Sequence, residues 1–175
     1  VKFKQVLVTT LLFATSFAGG AEMIDEVVQD FELDSYLGTW YEIARLDHSF
    51  ERGLEAVTAT YSLKDNGSVR VLNRGYKTKS TKWKTATGSA KYASEANMGA
   101  FKVTFFWPFY GGYNIVLLAD DYSYALVAGD SENYLWLLSR KPKISADTQE
   151  LMLERARSLG YDVSKLIYVD QSKNL

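Results

Sequence analysis

The chain has 175 residues, 47% of them apolar and 14% aromatic, which is enough for one domain with a substantial core and excludes an intrinsically disordered polymer. Lys and Arg number 20 against 21 Asp and Glu, with no basic arm or stripe, so nucleic acid is not an expected partner. The absence of cysteine excludes disulfides, thiolate metal sites and a cysteine nucleophile.

The first 20 residues have the form of a signal peptide. Lys2 and Lys4 precede an apolar run over 6–13, and small residues follow up to Gly20 and Ala21. The run is too short to span a membrane. Cleavage is expected near 20/21, followed by a lead-in over 21–35. "FAGG" has the look of a lipoprotein cleavage box with Gly20 where the lipidated cysteine would stand, so no lipid anchor is expected at that position as written.

From residue 36 the chain reads as short strands punctuated by turns. The first covers 39–46 and the second 56–63, closed by a turn at 64–67 that contains Asn66-Gly67, a strong hairpin signal. The third covers 68–76 and the fourth 84–92. A small-residue loop leads to the fifth at 100–106. Residues 107–112, "WPFYGG", read as a loop before the sixth strand at 113–119. The seventh covers 124–129 and the eighth 134–140. Pro142 then ends the strand pattern. Ser145 is placed to cap a helix over 146–159, closed by Gly160. Leu151, Arg155 and Leu159 share one side of it, with Met152 and Ala156 beside them, giving an apolar stripe. Residues 165–169 read as a last short strand, and 172–175 as a tail. Eight successive antiparallel strands lose their exposed edges by closing into a barrel. At that size the interior has room for side chains or one small ligand. A β-sandwich accounts less well for the late helix.

Three short motifs carry a resemblance. Gly38-Thr39-Trp40 resembles the first lipocalin signature. Asp120-Asp121-Tyr122 resembles the second, with Asp120 for the usual threonine, and Arg140 after "YLWLLS" matches the third. The match runs over about 30–171 and is most similar to bacterial outer-membrane lipoproteins of the Blc type, with apolipoprotein D more distant. The resemblance implies an all-β, eight-stranded antiparallel up-and-down barrel, covering 36–171, with the helix packed outside. It implies no cofactor and no metal, and binding, storage or transport of a small hydrophobic ligand, a fatty acid or lysophospholipid, in the bacterial envelope. The expected location is the periplasm or the periplasmic face of the outer membrane. Contact with that membrane and a homodimer are further expectations. Gly38 would fit the crowded entry of the first strand, Trp40 would plug the floor, and Arg140 would lie across its indole as a cation–π partner while donating to backbone carbonyls. Asp121 and Tyr122 complete this structural signature.

Alternation then sorts inward from outward positions. Leu138, Trp136 and Tyr134 share the face of Arg140, and Trp136 stands roughly 13 Å above the floor at about 3.3 Å per residue. It is either a pocket wall or an ordinary core tryptophan. Phe101, Val103 and Phe105 face in on the fifth strand, and Gly88 and Ala90 on the fourth, where their small size leaves volume for a cavity. Val71 and Asn73 face in on the third, and Ile115 on the sixth. By the resemblance Thr60 faces the pocket, so that it and Asn73 serve as polar handles. Glu42 shares the parity of Trp40, which puts a carboxylate inside unless a bend, or pairing with an internal tyrosine or water, relieves it.

The mouth is expected to be ringed by Phe50, Trp107, Phe109 and Tyr110. An aromatic rim fits a membrane surface, a second subunit or entering ligand tails; the alternative is a small core folded under the loop. The lysines within 76–84 read as a solvated loop or as a contact for anionic headgroups. His48, the only histidine, reads as a solvated loop residue. No serine lies in a nucleophile elbow and no metal-ligand spacing occurs, so the chain does not read as an enzyme. The alternative to a carrier is an interaction protein that docks a membrane or partner through the aromatic loops.

Overall fold

Alternation of apolar and polar residues from Gly38 onward produces eight strands, each hydrogen-bonded to the next. They are β1 (Gly38–Arg45), β2 (Leu54–Leu63), β3 (Val69–Lys77), β4 (Lys82–Tyr92), β5 (Ala100–Phe106), β6 (Phe109–Leu118), β7 (Tyr124–Ala128) and β8 (Leu135–Ser139). The computed structural model describes residues 26–175, so the signal-peptide reading of 1–20 and the Gly20 position lie outside the described residues. β8 pairs back onto β1, so the antiparallel sheet closes into a barrel. The short α1 (Leu33–Tyr36) precedes the barrel, and α2 (Ala146–Ser158) and β9 (Ile167–Tyr168) follow it. β9 pairs with Ala44 and Arg45 on the outside.

The strands around β8 are apolar on both faces because each face is covered. Leu135 and Leu137 turn outward to α2, while Trp136 and Leu138 turn into the barrel. The α2 face that docks is Met152, Leu153, Ala156 and Leu159, all buried; Leu151, expected in that stripe, is 44% exposed. The buried set is centred on Met152 and Ala156, one step round the helix. That leaves Arg155 at the seam, where its Nε donates to Val116 O at 3.0 Å. Ser145 caps the helix, its Oγ accepting from Thr148 N at 3.1 Å.

Residues 109–112, expected in a loop, belong to β6. Phe106 pairs with Phe109 across Trp107-Pro108, so β5 and β6 run on as a ribbon beyond the barrel wall. Aromatic residues favour extended, half-exposed backbone, which sustains the pairing there.

The closed end is built around Trp40, which is fully buried. Its Nε1 donates to Tyr36 O at 2.9 Å, fixing the indole under α1. The Arg140 guanidinium lies 4.0 Å from the indole centroid. It donates to Ser35 O at 2.8 Å, Thr39 O at 3.1 Å and Tyr122 O at 3.4 Å. One side chain thus ties α1, β1 and the β6–β7 turn. Gly38 has φ +96°, and a Cβ there would stand 3.3 Å from Arg140 Nη1, so both backbone and space favour glycine. In the turn, Asp121 Oδ1 accepts from Ser123 N at 3.0 Å, and the Tyr122 hydroxyl accepts from Glu32 N at 2.8 Å.

Arg140→Met keeps the aliphatic cover on Trp40 but strips three carbonyls of their donor. It is expected to cost about 2–4 kcal/mol, from lost charge-assisted bonds and the cation–π contact. Urea unfolding measures this, and a loss under about 0.5 kcal/mol would show that the floor does not depend on the arginine.

Candidate binding site

Above the floor the barrel encloses a cavity of about 380 Å³ that opens at the end opposite Trp40. Of the residues expected to line it, Val71, Asn73, Val103, Phe105, Tyr134, Trp136 and Leu138 do so, and the mouth residues Phe50, Phe109 and Tyr110 join them. Ala90 and Phe101 lie deeper, around a small void bounded by Tyr36, Tyr61 and Tyr113. Ile115 is buried in the interior core without reaching the cavity. Trp107 stands at the ribbon tip, 77% exposed and off the cavity.

Two expectations are corrected. Thr60 faces outward: its Oγ1 lies 2.9 Å from Thr39 Oγ1 on the outer surface. The register explains this, since Trp40 pairs with Ala59 and opposite residues share a face. Ala59 and Tyr61 therefore line the cup. Gly88 faces in but leaves no free volume. Its missing Cβ would meet the Phe105 ring at 2.9 Å and Thr104 O at 2.6 Å, so the glycine is the seat on which Phe105 lies.

Tyr61 and Tyr113 form the base of the cup. The Tyr113 hydroxyl lies 2.7 Å from that of Tyr36 and 2.8 Å from that of Tyr61, so three buried phenols satisfy one another. Burial raises the pKa of all three, which keeps them neutral.

One wall is polar. Glu42 is buried, as parity requires, and the β1–β8 register shifts between Glu42 and Ala44. In a regular strand residues three apart point to opposite faces; the bulge turns Arg45 back toward Glu42. Arg45 Nη1 donates to Glu42 Oε1 at 2.6 Å, and Nη2 donates to Glu51 O at 3.0 Å. The bend and an arginine thus accommodate the carboxyl. Glu51, in the β1–β2 loop, turns its carboxylate to the cavity and accepts Trp136 Nε1 at 3.1 Å through Oε2. His48, expected to be solvated, is 5% exposed. Its ring stacks on Phe50 at 3.9 Å. Its Nε2 lies 2.9 Å from Glu51 Oε2, off the line of the ring N–H. Burial first, and then the negative charge of Glu51, hold the Glu42 carboxyl well above the usual range; Arg45 opposes them. The direction favours the protonated form of Glu42 beside Glu51. Loop residues such as Glu51 and His48 have no periodicity, and the sequence held no signal for them. Among the described residues no group of three His, Asp or Glu side chains could hold a metal ion.

A closed cup with an aromatic floor, a largely apolar wall and an open mouth is a receptacle for small hydrophobic molecules. Residues 31–171 match the family model described as a lipocalin-like domain, and the chain belongs to the lipocalin family, whose members bind small hydrophobic ligands and are generally carriers rather than enzymes. It is 52% identical over 145 residues to Outer membrane lipoprotein Blc of Escherichia coli (strain K12), covering 83% of this chain and 82% of that one. To the Vibrio cholerae Blc it is 49% identical over 82% of this chain and 85% of that one. Apolipoprotein D of Mus musculus is 30% identical over 95% and 97% of the two chains. Insecticyanin from the tobacco hornworm shares the fold with a TM-score of 0.68 at 21% identity, covering 85% of each chain.

The raised pKa of Glu42 fixes the sign of a pH effect. The folded state holds this proton more tightly than the unfolded chain does. The resulting stabilisation is complete below the unfolded value of about 4.3 and is lost as pH rises through the folded value, by up to about 1.4 kcal/mol per pH unit. Glu42→Gln mimics the protonated form. Urea midpoints between about pH 4 and 8 are expected to decline in the wild type and to decline less in the variant, leaving it the more stable protein at neutral pH. Parallel curves would contradict the assignment.

Proposed function

We propose that the chain binds and carries a single-chain lipid, a fatty acid or lysophospholipid, in the bacterial cell envelope. The observation that carries this reading is the open cavity of about 380 Å³ whose wall is mainly apolar and aromatic. Its size falls within the range of small-ligand pockets. Each methylene moved from water contributes about 0.8 kcal/mol, so ten contribute about 8 kcal/mol before ordering costs, enough for useful affinity without any polar contact. The similarity to proteins named Outer membrane lipoprotein Blc supports the envelope location.

Titration with a fluorescent fatty acid is expected to saturate near one per chain, and unlabelled lipid to displace it. Trp136→Ala removes a wall ring and is expected to weaken binding about tenfold or more while the barrel remains folded by circular dichroism. A linear, unsaturable titration of the wild type would defeat the carrier reading.

A second reading rests on a separate observation. Phe106, Trp107 and Phe109 at the ribbon tip are 71–77% exposed, unusual for aromatic side chains on a soluble surface. On this reading the ribbon contacts the outer-membrane surface or a partner, including a second copy of the chain. Replacing all three by serine is expected to abolish co-sedimentation with phospholipid vesicles and leave the fatty-acid titration nearly unchanged. Retained sedimentation would place the membrane contact elsewhere.

A further inference from the structure

The cup is charged in one sense only. Glu42, Glu51 and Asp130 line the cavity, and no lysine, arginine or histidine does. The lysines of the 76–84 segment, which would have paired with an anionic head, do not reach it. Lys91 lies 4.8 Å over the Tyr110 ring but is not part of the lining either. Arg45 is buried behind the wall and already serves Glu42 and the Glu51 carbonyl. Asp130 accepts the Gly112 backbone N–H and so braces the rim. Glu42 already takes Arg45 Nη1 at 2.6 Å.

Glu51 is left as the acceptor. It is 5% exposed, its Oε2 takes the Trp136 indole and lies 2.9 Å from His48 Nε2, and its Oε1 takes no N–H from the described residues. Around it the lining presents three aromatic rings. Phe50 and Tyr134 are near-parallel with centroids 6.2 Å apart, and Tyr134 and Trp136 near-parallel at 5.9 Å. His48 stacks behind Phe50, outside the lining, with its Nε2 2.9 Å from Glu51 Oε2. A buried carboxylate beside several aromatic faces is the chemistry that holds an organic cation. The ring faces attract the positive charge and the carboxylate neutralises it in a low-dielectric site. An anionic head at the same place would meet like charge, and the nearest guanidinium, Arg45, is turned away to Glu42 and the Glu51 carbonyl.

We infer that the cup selects single-chain lipids whose head carries a positively charged nitrogen, held by Glu51 among Phe50, Tyr134 and Trp136, over lipids whose head is only anionic. The inference rests on the cavity being the lipid pocket, and narrows that reading to a head chemistry.

The test uses the folded chain loaded with a neutral fluorescent probe, N-phenyl-1-naphthylamine. The probe is displaced by dodecyltrimethylammonium, dodecanol or dodecanoate below their micelle concentrations at neutral pH. The ammonium compound is expected to bind about tenfold or more tighter than dodecanoate, with dodecanol between them. Glu51→Gln should weaken the ammonium compound and tighten dodecanoate, bringing the two within about threefold when each is read against the variant's own probe affinity. Tyr134→Leu removes a ring without touching charge and should weaken the ammonium compound selectively. It keeps the test decisive if the Glu51 variant does not fold. Dodecanoate binding as tightly as the ammonium compound in the wild type overturns the inference and leaves the lipid pocket standing. So does a preference unchanged by both variants. Failure of the probe to saturate the wild type overturns the pocket, and the inference with it.

Discussion

A barrel that keeps an apolar hollow must find its stability outside the hollow. Interiors close-packed to crystal density are the general rule, and every unfilled volume forfeits contacts. Here the forfeited contacts are replaced at two places. Under the cup, the Trp40 indole is covered by α1 and by Arg140, whose three carbonyl acceptors bring together segments more than 100 residues apart in sequence. On the flank, Met152 and Ala156 of α2 are sealed against the outer faces of β7 and β8. The floor and the flank carry the packing, and the upper barrel is free to be hollow.

Within the hollow, the polar wall follows a different logic. Burying a charged side chain rarely stabilises a fold relative to well-packed apolar residues. The Glu42–Arg45 pair is nonetheless fully buried, and through Arg45 and Trp136 it connects β1, the β1–β2 loop and β8. Its consequence is positional: the loop that carries His48, Phe50 and Glu51 is tied to the barrel wall by the Glu51 carbonyl at one end of the residue and its carboxylate at the other. A loop that would otherwise be the mobile part of the mouth presents its carboxylate in a defined place.

The sequence made the barrel legible because period-two alternation and turn signals are local. Inward positions came out correctly where parity could be anchored to a fixed residue, as on β8 counted back from Arg140, and on β3 and β5. Parity failed on β2, where Thr60 was assigned by resemblance; the Trp40–Ala59 pairing, which only strand register supplies, reverses it. Gly88 was read as empty space because a sequence shows the residue that is small and not the neighbour that fills the gap. The ribbon at 109–112 was hidden by Pro108 and two glycines, all loop signals, although the pairing turns between Phe106 and Phe109 and uses the glycines as strand. The sequence reads His48 as solvated and gives no signal for Glu51, since three-dimensional closure alone brings that loop over Trp136.

The two aromatic surfaces at the mouth differ in how they are held, and the difference is physical. Phe105 is seated on Gly88, and Gly112 approaches Asp130 so closely that a Cβ would lie 1.8 Å from Oδ1, so β5 and β6 are fixed at the rim by contacts only glycine permits. Beyond that brace Phe106 and Phe109 lie parallel across the ribbon with centroids 6.4 Å apart, and both are largely exposed. Phe105, Phe109 and Tyr110 are at once exposed and cavity-lining, so the apolar surface does not end at the rim. An acyl chain leaving the cup on this side can stay against carbon for part of its path, which lowers the cost of exit below that of full exposure to water. On the opposite side of the mouth, the carboxylate of Glu51 is set inside the rim behind Phe50. The entrance is therefore aromatic on the ribbon side, where Asp130 is the one acidic lining group, and carries the Glu51 carboxylate on the loop side, an asymmetry that suits the cationic-headed lipid inferred above, its chain toward β5 and β6 and its head toward the β1–β2 loop.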